Sequence, residues 1–180
     1  MIHLKRRNSQ KLTMCANFIA LAFIFSYLES LFPFSLGIPG VKLGLTNIIT
    51  VYVLYMTKNF KTTFIVIFVR IFLVAFTFGN LSTMIYSICG AILSGLGMVM
   101  LYKTGIFTII GVSIAGGVLH NVGQILCAML ILETNELIYY LPVLLFSGII
   151  CGFGVGFISN ICVTNLKKFY NSKKTFHLSR

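Results

Sequence analysis

Long apolar runs separated by short polar or glycine- and proline-containing segments make up most of the chain. About 20 apolar residues at 1.5 Å per residue are needed to cross the hydrocarbon core as a helix. Six runs approach or exceed that length, the second and third only just, and they cover 13–31, 41–57, 62–79, 82–102, 107–132 and 137–166. The pattern predicts an all-α integral membrane protein, a bundle of six transmembrane helices.

Composition supports this class and predicts one membrane domain. Of the 180 residues, 58% are hydrophobic and 9% charged, whereas a soluble domain carries about 25% charged residues. The excess apolar surface has no place to be buried in a soluble fold. We expect a single domain over 1–180, with the helix bundle at 13–166 and basic tails at 1–12 and 167–180.

The positive charge is distributed as membrane topology requires. The net charge is +11, from 14 Lys and Arg against three acids. With six spans, twelve of the 14 basic residues lie on the side of the termini, and the acids lie at or near the opposite face. The positive-inside rule therefore places both termini in the cytoplasm. The same distribution argues against nucleic acid as a partner.

The segment between the first two runs, residues 28–50, combines charged side chains with helix breakers. Glu29 precedes a stretch with two prolines and three glycines, and Lys42 and Asn47 follow at the start of the next run. Charge near hydrocarbon is costly, so these residues are candidates for a functional site. The alternative is a tight outer turn in which Glu29 simply pairs with Lys42.

Arg70 lies in the middle of the apolar run FIVIFVRIFLVAF. A guanidinium there must reach the interface, face the bundle interior, or pair with an acid or an anionic ligand. Glu29 is the nearest acid by topology, so a structural ion pair and ligand binding are both open.

The fifth run contains polar residues beside glycines, in GVSIAGGVLHNVGQ at 111–124. His120 and Gln124 share a helical face, and Asn121 lies on the adjacent stripe. Such donors and acceptors are typical of a pocket, although hydrogen bonds between helices would also explain them. A single His without neighbouring ligands is weak evidence for a metal, and the five cysteines are interpreted as small apolar residues.

Small residues recur at four-residue spacing in two runs. Gly148, Gly152 and Gly156 in the last run favour close packing within the bundle. Ala16 and Ala20 in the first run lie near its cytoplasmic end, where contact with a partner protein competes with internal packing.

Two stretches, LESLFPFSLGIPGVKLGLTNI at 28–48 and GVSIAGGVLHNVGQ at 111–124, resemble a family of bacterial membrane proteins. That family is called Gx transporter or heptaprenyl diphosphate synthase component I. It is in turn similar to the substrate-binding components of energy-coupling-factor transporters. The resemblance implies a multi-pass protein of the bacterial cytoplasmic membrane. It also implies that Ala16 and Ala20, which match an Ala-xxx-Ala pair, contact a transmembrane coupling subunit that works with ATPase subunits.

Two functions follow as hypotheses. The first is a substrate-binding component of an uptake transporter, which requires partner ATPases because the chain has no Walker A sequence. The second is a non-catalytic membrane subunit of a heptaprenyl diphosphate synthase. The chain has no aspartate for a magnesium–diphosphate site and no nucleophile–base pair, so an enzyme is not expected, and neither is a cofactor or bound metal.

One outward-opening cavity is expected to hold the substrate. Seven residues are predicted to line it: Glu29, Lys42, Asn47, Arg70, His120, Asn121 and Gln124. The two cations favour a ligand with an anionic oxygen. An aromatic and aliphatic remainder of the lining would suit a partly apolar compound, and the resemblance implies one related to isoprenoids or quinones.

The topology can be tested directly. Reporter fusions at the two termini should both report the cytoplasm, because the basic residues are concentrated on that side. Termini on opposite sides of the membrane would contradict six spans.

Overall fold

A computed structural model describes residues 2–31 and 44–178 of the chain, with side chains described for 9–31 and 44–169. The described residues form six α-helices and one short 3₁₀ helix at Glu136–Tyr140. The helices are α1 (Ile2–Leu31), α2 (Leu45–Thr57), α3 (Phe60–Thr77), α4 (Leu81–Thr104), α5 (Ile109–Leu132) and α6 (Leu141–Leu178). No strand occurs in these two ranges, and the predicted all-helical class is confirmed.

Local side chains define where the helices begin. The Asn59 side chain accepts a hydrogen bond from the Thr62 amide at the start of α3. Asn80 and Thr83 form a reciprocal capping box at the start of α4, and Thr108 accepts from Gly111 at the start of α5. Each cap satisfies amides that would otherwise lack partners at a helix end.

Five helices are long and apolar enough to cross a membrane. They are α1, α3, α4 and α5, together with the segment Glu136–Phe169 that includes most of α6. Large exposed apolar side chains on them, such as Phe76, Leu130 and Phe146, are suited to contact lipid. The chain is therefore a helical, multi-pass membrane protein.

The second predicted span is shorter than the others. α2 has 13 residues, about 20 Å at 1.5 Å per residue, against a hydrocarbon core of about 30 Å. Residues 41–43 of that span lie outside the described residues. Six complete crossings and cytoplasmic termini thus stay predictions. α1 and α6 also continue as helix into the basic segments that the sequence suggested as tails.

The helices contact one another in a closed ring, in the order α1, α3, α4, α5, α6, α2. α2 also contacts α3 and α5, which places it toward the inside of the ring. Seven of its 13 residues are buried, and Val51, Val53 and Leu54 are fully so. The apolar core is centred on this helix, with α1 and α3 on one side and α4 and α5 on another.

Glycines let α6 approach α5 closely, as the sequence predicted for this series. Gly148, Gly152 and Gly156 are all buried. A Cβ atom at Gly152 would lie 2.7 Å from the Ile114 Cα, and one at Gly156 would lie 2.8 Å from the Ile110 Cα. These contacts involve backbone, which has little room to move, so larger residues are excluded at both positions.

Gly152→Ala should therefore destabilise the bundle, by about 1–3 kcal/mol, since overpacking has this cost. Thermal unfolding in detergent, followed by helix circular dichroism, measures the change. Gly154→Ala is the matched control, because Gly154 is exposed and a Cβ there would meet nothing within 4 Å. Equal behaviour of the two variants would contradict close α5–α6 packing.

Candidate functional site

A cavity lies inside the ring of helices, and each of the six α-helices or its N-cap contributes to the described lining. The volume open to the centres of water-sized molecules is about 80 Å³. At about 10–15 Å³ of such volume per water, this is room for about five to eight waters. The cavity is near the end of the bundle where α1 ends and α2 begins, since Glu29 and Gly44 belong to its lining.

The structure brings six of the seven predicted site residues to this cavity. They are Glu29, Asn47, Arg70, His120, Asn121 and Gln124. Lys42 lies outside the described residues, as does the proline–glycine turn before it. The convergence of the six is an observation, whereas their role in ligand binding stays a prediction.

Glu29 holds the beginning of α2. The Gly44 amide donates a hydrogen bond of 2.6 Å to the Glu29 Oε1. Gly44 has a left-handed backbone, with φ of 72°, and its carbonyl accepts from the Asn47 amide at 2.8 Å. A carboxylate at a helix N-terminus is also favoured by the helix dipole. Glu29 therefore has a structural role as well as a place in the cavity lining.

Arg70 is tied to α1 and α2 through two hydroxyl groups. Its Nη1 donates to the Ser26 Oγ at 3.4 Å, and Ser26 donates to the Ala22 carbonyl at 2.9 Å. The Ser26 and Thr46 oxygens are 2.9 Å apart. Because a serine hydroxyl has one hydrogen, Thr46 is the donor in this last bond. The resulting network joins three helices beside the cavity.

The direct ion pair between Arg70 and Glu29, one of the two interpretations of the sequence, is absent from the described residues. No nitrogen–oxygen distance between the two side chains is within 4.0 Å. Both nevertheless line the cavity and interact electrostatically. The positions of charged residues along a sequence indicate which face they share, but not the distance between them. The alternative pairing of Glu29 with Lys42 lies outside the described residues.

Two buried side-chain atoms have no hydrogen-bond partner among the described residues. They are the Arg70 Nε and the Ser113 Oγ, and both residues line the cavity. A buried donor or acceptor without a partner is costly, and more so when it is charged. Their occurrence together at one cavity is the pattern expected of a site that receives a polar ligand.

On α5 the polar residues occupy one side of the helix. Ser113, Gly117, His120 and Gln124 recur at three- and four-residue spacing and all line the cavity. Asn121 donates from its Nδ2 to the Leu144 carbonyl of α6 at 2.7 Å. The interpretation as a hydrogen bond between helices is therefore confirmed for Asn121.

Several lining residues were missed by reasoning from sequence. They are Thr46, Ser87, Ser113 and Cys151. Ser113 had a detectable signal, because it lies four residues before Gly117 and seven before His120. Cys151 lies between Gly148 and Gly152, on the face that packs against α5. Ser87 has no feature that separates it from an ordinary helical serine. All five cysteines are unpaired.

The expected aromatic and aliphatic remainder of the lining is wrong for the described residues. The other side chains at the cavity are small or polar, and Val155 is the single branched aliphatic residue in the described lining. The large apolar side chains that the sequence offered are instead exposed on the outer surface of the bundle. The described part of the lining is thus suited to a small hydrophilic molecule.

Ala16 and Ala20 lie far along α1 from Glu29, and both are exposed. They do not contribute to the packing of the bundle, unlike Ala22, which is buried in the core. The exposure of the two alanines argues against internal packing as the reason for their spacing. Both lie on a surface that a partner protein can reach.

Glu29→Ala should destabilise the protein by about 1–3 kcal/mol, because the Gly44 amide loses its acceptor. Glu29→Gln should be nearly neutral, since an amide oxygen can accept the same bond. Thermal unfolding in detergent measures both. Glu136→Ala, an exposed acid outside the cavity, is the control. If Glu29→Ala matches that control, the Gly44 hydrogen bond has no role in stability.

A comparison with known families identifies the chain over most of its length. The model of the family described as heptaprenyl diphosphate synthase component I matches residues 18–162. No curated protein and no solved structure matches the chain significantly. The matched range runs from α1 into α6 and includes all described cavity residues. The protein belongs to the heptaprenyl diphosphate synthase component I family.

Proposed function

We propose that the protein is a non-catalytic membrane subunit of a heptaprenyl diphosphate synthase, and that its cavity binds a small hydrophilic ligand with an anionic group. Family membership supports the first part. The observation that carries the second is the pair of unpartnered polar atoms, Arg70 Nε and Ser113 Oγ, at one cavity.

The subunit is proposed to be non-catalytic because of its chemistry. Joining isoprenoid diphosphates requires magnesium, which clustered carboxylates bind through hard oxygen ligands. The chain has three glutamates and no aspartate. Glu133 and Glu136 are exposed at the end of α5 and in the 3₁₀ helix, away from the cavity that Glu29 lines. The catalytic carboxylates would therefore come from a partner component.

The cavity is not proposed to hold the isoprenoid product. A heptaprenyl chain is far larger than this cavity, in which the volume open to the centres of water-sized molecules is about 80 Å³. Its hydrocarbon would also leave the hydroxyl, amide and charged groups of the lining without hydrogen-bond partners. The small polar volume instead favours a hydrophilic compound. This replaces the partly apolar, isoprenoid- or quinone-related ligand that the sequence suggested.

A second candidate is a substrate-binding component of an energy-coupling-factor type transporter. The observation in its favour is the combination of a polar cavity with exposed Ala16 and Ala20 on α1. Such a protein would deliver its ligand through a transmembrane coupling subunit and ATPase subunits. Both candidates use the same cavity and differ in the partner.

Co-isolation distinguishes the two partners. The tagged protein, taken from its own membranes in mild detergent, should retain a soluble aspartate-rich prenyl diphosphate synthase, detected by mass spectrometry and synthase activity. Recovery of ATPase subunits without a synthase would refute the subunit role and favour transport. In that case Ala16→Leu or Ala20→Leu should abolish the complex by steric block. Gly154→Leu, at another exposed small residue, should leave it intact.

A further inference from the structure

We infer that the ligand is a zwitterion, a small molecule with an acidic oxygen group that binds Arg70 and a cationic nitrogen that binds Glu29. The inference rests on the proposed function in one respect, namely that the cavity receives a small hydrophilic ligand. It does not depend on which partner protein the chain has.

The charges of the described cavity lining are balanced but separate. Among the described lining residues, Arg70 is the one side chain that is positively charged at neutral pH whatever its neighbours, and Glu29 is the one acid. They interact electrostatically without any nitrogen–oxygen contact within 4.0 Å. A structural salt bridge would have closed this distance, because each charge inside a low-dielectric bundle gains most from direct contact. The separation leaves space between two opposite charges.

Both side chains can make more hydrogen bonds than the ones described. The Arg70 guanidinium has five N–H donors, of which Nη1 makes one long bond to Ser26 and Nε is buried without a described partner. The Glu29 Oε1 accepts from the Gly44 amide, and an ionised carboxylate has about four acceptor sites on its two oxygens. Arg70 thus offers donors, and Glu29 offers an acceptor with negative charge.

A zwitterion satisfies both groups at once. An anion alone would pair with Arg70 but would place a second negative charge near Glu29. A cation alone would pair with Glu29 but would place a second positive charge near Arg70. A molecule that carries both charges adds no net charge to the described lining, which a membrane interior favours. The hydroxyl of Ser113 supplies a further polar contact for such a ligand.

Matched probe compounds test this directly with the purified full-length protein in detergent. Alanine and taurine carry one charge of each sign, with a carboxylate and a sulfonate respectively. Propionate and ethanesulfonate keep only the acidic group, and ethylamine keeps only the amine. Calorimetric titration should give at least tenfold tighter binding for one zwitterion than for its single-charge analogues. Whether alanine or taurine binds identifies the acidic group. Because the chain has no tryptophan, folding is followed by circular dichroism.

Two variants with retained hydrogen bonding separate the charges. Glu29→Gln keeps an acceptor for Gly44 and should lose at least tenfold in affinity for the zwitterion while binding the acidic analogue as well as or better than wild type. Arg70→Gln should lose affinity for both. Glu136→Gln, at the exposed acid, should change neither.

Three results would overturn the inference. The first is that the acidic analogue binds the wild type as tightly as the zwitterion, with no effect of Glu29→Gln; an anion site then remains and the proposed function stands. The second is that ethylamine binds as tightly as the zwitterion. The third is that none of the five compounds binds to the folded protein, which would show that neither charge recognises these groups. Co-isolation of a synthase is independent of all three results.

Discussion

The guanidinium of Arg70 inside an apolar helix is the constraint on which the arrangement around the cavity depends. A charge at that depth must have polar surroundings, and those surroundings come from other helices. Ser26 of α1 and Thr46 of α2 form the hydroxyl network that reaches it. The same requirement explains why polar side chains of α4 and α5 face the interior rather than lipid. Even so, the Arg70 Nε has no partner among the described residues, and this is the observation that supports the proposed binding of a ligand.

Glycine lets α5 and α6 approach each other at several points of their interface. At Gly152 and Gly156 it lets α6 approach the backbone of α5, which brings the two helices close enough for the Asn121 side chain to reach the Leu144 carbonyl. Gly117 and Gly148, which line the cavity, meet each other in the same way, since a Cβ atom at Gly117 would lie 2.6 Å from the Gly148 carbonyl oxygen. The glycines therefore hold the α5–α6 wall of the cavity close together.

The helices and most of the cavity could be predicted from the sequence because both follow from the cost of polar groups in hydrocarbon. Apolar runs end where caps such as Asn80 occur, and isolated polar residues such as Arg70 and His120 turn inward, so their convergence was predictable. The distances between side chains could not be predicted. The sequence therefore left a direct Arg70–Glu29 ion pair open, and the described structure lacks it. The described lining is less apolar than predicted, with Val155 as its single branched aliphatic residue. Large side chains such as Phe146 are exposed on the outer surface, where they are suited to contact lipid. Ser87 and Cys151 are small enough to occur anywhere in a helix, and sequence alone does not assign them to the interior.

α1 extends from the cavity lining near one end to an exposed outer surface toward the other. Near the first end it contributes Glu29, which accepts from the Gly44 amide just before α2, and Ser26, which accepts from Arg70. Toward the other end it presents Ala16 and Ala20 on an exposed surface. In either proposed function, a ligand that pairs with Glu29 would act at the carboxylate that holds the start of α2, and a partner at Ala16 and Ala20 would contact the same helix.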